Sequence, residues 1–140
     1  MFTSQQKYSL TTRLYTAFFA LLGISVILSF RMGDFFTGDF REFYFSYVAN
    51  ILAPIGIYFI LCILEIQFSI LRTWYAKAFL VIIAASMTEF MQAAGIPILG
   101  MTYDLVDLYM IILGAMIAAA VDVVLFERLL PYWKYDRKMN

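Results

Sequence analysis

Four long apolar stretches, separated by short polar ones, divide the chain. Leu14 to Phe30 and Tyr44 to Leu64 carry no charge at all, residues 78–94 carry only Glu89, and residues 105–126 carry only Asp107 and Asp122. A hydrocarbon core about 30 Å thick needs roughly 20 helical residues at about 1.5 Å each. The pattern predicts an all-α membrane bundle of four transmembrane helices over 14–30, 44–64, 78–94 and 105–126, a single membrane domain with a tail over 127–140.

The punctuation between the runs supports that division. Phe30, Arg31 and Met32 follow the first run where a signal peptide would carry a small-residue cleavage site, so the run is read as a retained span. The loop 31–43 mixes Asp34, Asp39, Glu42 and two arginines with four phenylalanines, a composition suited to the headgroup zone. Pro54 and Gly56 predict a kink in the second helix, repaired by its neighbours. Residues 65–77 read as an amphipathic connection with Arg72 and Lys77 as its basic charges and Trp74 and Tyr75 as interfacial anchors. Gly95, Pro97 and Gly100 end the third helix and supply the turn before the fourth.

Composition narrows the chemistry. At 64% hydrophobic and 14% charged residues, with a mean hydropathy of +0.83, this is an integral membrane protein. Histidine is absent and Cys62 is the sole cysteine, which excludes Cys/His zinc sites, histidine-held haem, nucleophiles activated by histidine and any intrachain disulfide. Cys62 itself reads as a small buried hydrophobe. No metal and no cofactor are expected, and zero net charge offers no surface for nucleic acid.

Charge distribution suggests an orientation. With four spans, eight of the ten lysines and arginines fall on the side of the termini, and only Arg31 and Arg41 fall on the other. The positive-inside bias then predicts both termini in the cytoplasm of a bacterial inner membrane and the Asp104 loop outside.

Acids inside spans are costly, and each is a functional-site hypothesis. Ser86, Glu89 and Gln92 recur every third residue and share one helix face, while Ala84, Ala85 and Ala93 are expected to admit a neighbouring helix. Glu89 lies roughly 18 Å along the helix from Lys77, in the outer half of the core. Asp104 and Asp107 enter the fourth helix from that same surface. Glu89, Gln92, Asp104 and Asp107 are therefore expected to converge as an outer-leaflet polar site, with Arg31 and Arg41 the only basic residues on that side. Three acids in one dry site cannot all be charged. Asp107, Ile111, Gly114, Ala118 and Asp122 form a second stripe, in which Gly114 and Ala118 are expected to pack helices closely; Asp122 falls near the inner boundary.

The ordered set Glu89-x-x-Gln92, a Gly/Pro turn, Asp104-x-x-Asp107 and Gly114-Ala115 resembles the VanZ-like family of small bacterial membrane proteins. The resemblance covers the third and fourth helices, about a third of the chain. It implies a bundle of four or five helices with a polar site between the helices bearing these motifs, in a family whose founding member is associated with resistance to the glycopeptide teicoplanin. Family members commonly carry an arginine in the turn, where this chain has Met101, Thr102 and Tyr103, and an asparagine where this chain has Ile111.

Three functions are consistent with these features. One is a cell-envelope protein binding a lipid-linked or glycopeptide-type ligand at the outer-leaflet acids, with membrane lipids as partners. Another is a non-catalytic accessory subunit that docks on a larger membrane complex, or on a second copy, through the Gly/Ala stripe and the aromatic loop. The third, an enzyme or proton-coupled transporter, is the least favoured. The Gly-x-Gly-Asp signature of intramembrane aspartyl proteases is missing, and the first helix lacks the glutamate of small multidrug transporters.

Overall fold

The computed structural model describes residues 4–29, 32–95 and 104–133, with side chains for all of these except 4–9, 29 and 92. Four long helices account for most of the chain: α1 (Ser4–Ser29), α2 (Asp39–Leu64), α3 (Trp74–Ala93) and α4 (Leu105–Leu129). No strand occurs among the described residues. All four helices are long and apolar enough to cross a membrane.

The first three helices begin earlier than the hydropathy pattern predicts and the fourth, which begins at Leu105 as expected, ends later, because a hydrogen-bonded helix propagates through polar residues at its ends. α1 already includes Arg13, and α2 takes in Asp39 to Phe43, which had read as loop. α4 runs on through Glu127 and Arg128 to Leu129. Specific residues set the ends. Gly38 and Gly95 adopt positive φ before α2 and after α3, a conformation that glycine enters without strain. Asp104 caps α4, its side chain accepting from the Val106 amide at 3.1 Å. Two stretches wind as π-helix inside the longer helices, Tyr44–Val48 in α2 and Val121–Phe126 in α4.

α2 is the central helix and packs against α1, α3 and α4; α3 also packs on α4. The core joins Tyr58, Phe59 and Cys62 of α2 to Val81 of α3 and Ala115, Ala118 and Ala119 of α4, with Ala17 of α1 and Trp133 beyond α4 completing it. Small side chains on α4 bring two backbones together. A Cβ on Gly114 would collide with the Ile51 carbonyl oxygen and lie 3.1 Å from the Ile51 Cα. Of the three alanines expected to admit a neighbour on α3, only Ala85 is buried; Ala84 and Ala93 are exposed.

Gly114→Leu should therefore destabilise the bundle by about 2 kcal/mol, since the clash is with backbone. Gly23 in α1 has nothing within 4 Å of an added Cβ, so Gly23→Ala should leave stability unchanged or slightly raised. Thermal melts of both variants in one detergent compare them directly.

Candidate functional site

Two polar centres lie inside the bundle, one toward each end. The centre nearer the terminal end draws on all four helices and on the segment that follows them. Lys77, four residues into α3, is 2% exposed, so its ammonium must find partners inside the protein. It donates to Asp122 Oδ2 at 2.7 Å, Glu65 Oε2 at 2.9 Å and Cys62 Sγ at 3.3 Å, which uses its three N–H donors. Asp122 also accepts from the Tyr58 hydroxyl at 2.8 Å and from Trp133 Nε1 at 2.6 Å. Arg13 of α1 pairs with the other oxygen of Glu65, and its guanidinium lies over the Trp133 ring at 5.0 Å.

Two cations and two anions thus balance one another. Asp122 lies in the π-wound turn, and such turns recur at sites where a helix must re-aim a side chain. Phe126 meets Trp133 edge-on at 4.7 Å and Phe59 meets it at 6.4 Å, so Trp133 covers the centre from below.

This centre corrects the sequence reading at several residues. Lys77, a basic charge of the 65–77 connection in the hydropathy pattern, is buried, and so is Arg13, which lies just before the first apolar run. Trp133, within the 127–140 tail, is 1% exposed and is the largest fully buried side chain described. Trp74 and Tyr75 are exposed, as interfacial anchors would be.

The second centre contains the acids singled out from sequence. Glu89 and Ser86, one turn apart on α3, are each 6% exposed. Asp107 of α4 lies within electrostatic reach of Glu89. Asn50 of α2 donates its amide to Asp107 Oδ1 at 2.6 Å and ties a third helix to the site. Neither Ser86 Oγ nor Glu89 Oε2 has a hydrogen-bond partner among the described residues.

Asp104 stands exposed at the edge, where its carboxylate caps α4. Arg41 turns away from the acids. It pairs with Asp34 at 3.4 Å and lies over the Phe45 ring at 5.1 Å. The side chain of Gln92, together with Arg31 and the turn residues Met101, Thr102 and Tyr103, lies outside the described residues. Gly114 and Ala118 face inward, Gly114 against α2, and Ile111 is buried. No group of three metal-ligating side chains occurs among the described residues.

Asn50 escaped the sequence reading although a signal was present: it is the lone amide in the uncharged run 44–64. The chain matches no family model, no curated protein and no solved structure.

The two centres differ in what they need. The terminal-end centre is charge-balanced, so removing one member leaves an opposite charge buried alone, at a cost of about 3–5 kcal/mol. Lys77→Met should destabilise by that order, and adding Asp122→Asn to it should restore part of the loss. A double-mutant cycle of thermal melts checks the coupling; additive losses would mean that the two side chains act independently.

Proposed function

We propose that the protein is a multi-pass membrane protein that binds the polar head of a lipid-linked or glycopeptide-type ligand at the Glu89–Asp107–Asn50 centre. The observation that carries this reading is the unfinished state of that centre. Buried polar groups in folded proteins are nearly all hydrogen-bonded, and here a carboxylate oxygen and a hydroxyl are buried without partners and without a compensating charge, whereas at the other centre only Arg13 Nε and Nη1 lack a partner and the charge of Arg13 is met by Glu65. Polar groups that a protein buries and leaves open are what a ligand satisfies.

The VanZ-like resemblance supports the same reading. Where that family commonly has an asparagine at the position of Ile111, an amide reaches Asp107 here from Asn50 on α2. The accessory-subunit reading loses the Gly114 and Ala118 stripe, which is already buried within the chain, and keeps only the exposed phenylalanines of the 31–43 loop as a docking surface.

Orientation is part of the proposal. Arg13 and Lys77 are compensated inside the bundle, which leaves Lys7, Arg72, Arg128, Lys134, Arg137 and Lys138 against Arg31 and Arg41. The bias still favours cytoplasmic termini in a bacterial inner membrane and puts the open centre in the outer leaflet.

Native mass spectrometry of the protein extracted from its own membrane in mild detergent tests the function. A lipid-linked ligand should be retained by the wild type and lost from Glu89→Gln/Asp107→Asn. A stoichiometric protein partner with no lipid-linked ligand would replace this reading with the accessory one.

A further inference from the structure

We propose that the group seated at the open centre is the ammonium of an amine-bearing lipid, an inference that rests on the ligand-binding reading above and names the chemistry of its ligand. Three observations carry it.

The first is charge. Glu89 on α3 and Asp107 on the packed helix α4 are within electrostatic reach of one another, with no cationic side chain paired to either among the described residues. Glu89 is buried and Asp107 half-buried; burying a carboxylate without compensation is costly, and a cation repays it. Phosphate or sulfate would be repelled. A neutral hydroxyl would satisfy hydrogen bonds but leave the charge uncompensated, and a metal ion lacks a third ligand of the required kind among the described residues.

The second is hydrogen bonding. A primary ammonium brings three donors and no acceptor. Glu89 Oε2 accepts only and Ser86 Oγ can accept or donate; both are buried and unpartnered, one helical turn apart on α3. Asn50 already donates to Asp107 Oδ1, so the carboxylate oxygen still in need of a donor is that of Glu89.

The third is position. Asp107 is the third residue of α4 and Glu89 lies four residues before the end of α3, so they stand roughly 3 Å and roughly 6 Å inside their helix ends. In helices long enough to span, carboxylates that close to the ends are within reach of a lipid headgroup, which favours an amine delivered by a lipid over a soluble one. Above Asn50 on α2, Phe43 and Tyr47 pack together with ring centroids 5.4 Å apart. Aromatic faces attract organic cations, and Tyr47 and Phe43 lie three and seven residues before Asn50, on the same face of α2.

The test uses the full chain in mild detergent and native mass spectrometry with three short-chain probes: phosphatidylethanolamine, its N-acetylated derivative and phosphatidylglycerol. Phosphatidylethanolamine should be retained at least tenfold over the other two. Glu89→Gln/Asp107→Asn should abolish that preference while the variant melts like the wild type. Equal retention of all three probes, lost in the double variant, would keep the centre as a binding site and overturn the amine assignment. Retention that is the same in wild type and variant would overturn both the assignment and the site. Wild-type preference for phosphatidylglycerol would overturn the assignment alone.

Discussion

The Lys77 ammonium, held between Glu65 and Asp122, is the contact on which the arrangement of this bundle depends. Lipid is as apolar as the helices it surrounds, so hydrophobic burial does little to choose one packing of four spans over another. A charge inside the bundle does choose, since it tolerates only the packing that brings its partners to it. Lys77 lies on α3, Asp122 on α4 and Glu65 at the end of α2, and Arg13 brings in α1 through the same Glu65. One network thereby fixes the mutual register of all four helices, and Trp133 secures the segment after α4 to it. Close packing of Gly114 on Ile51 is the steric counterpart, open only to a residue without a side chain.

The opposite end is built from the same helices by a different rule. There the acids outnumber the bases, and the buried Glu89 Oε2 and Ser86 Oγ are left without a partner and without a compensating charge among the described residues, whereas the unpartnered nitrogens of Arg13 belong to a guanidinium already paired with Glu65. Residues that cost stability where they stand are commonly kept for function. The apolar layer between the centres, with Val81, Ala85, Ala115 and Ala118 buried in it, separates the two. A charge-balanced centre at one end and an uncompensated one at the other suit the proposed role, in which a ligand site is held open without loss of the fold.

Much of this was legible in the chain. Apolar runs of spanning length are a direct consequence of bilayer thickness, which is why the four helices follow from sequence. Some ends followed as well, as at Leu64 and Leu105, and others did not, because backbone hydrogen bonding carries a helix past the last apolar residue, as at Asp39 and Glu127. Of the four residues expected to converge, Glu89 and Asp107 come within electrostatic reach, Asp104 stands exposed as the cap of α4, and the side chain of Gln92 lies outside the described residues. The terminal-end network was not legible, since its members lie just inside span ends, where lysine and arginine ordinarily reach for the headgroups. Lys77 and Asp122 are 45 positions apart and Tyr58 and Asp122 are 64 apart, separations that no periodicity encodes. Equal numbers of opposite charges at matching depths on different spans were the available clue.

One polar centre holds the fold together and, in the proposed function, the other is kept open for a ligand. Thermal melts of Asp122→Asn and Glu89→Gln in the same detergent test this most directly, since each change removes a charge while conserving shape. Asp122→Asn should lower the melting temperature by about 10 °C, the scale of roughly 3 kcal/mol in a chain of this size. Glu89→Gln should leave it unchanged or raise it. A marked loss of stability in Glu89→Gln, with Asp122→Asn melting like the wild type, would contradict the account.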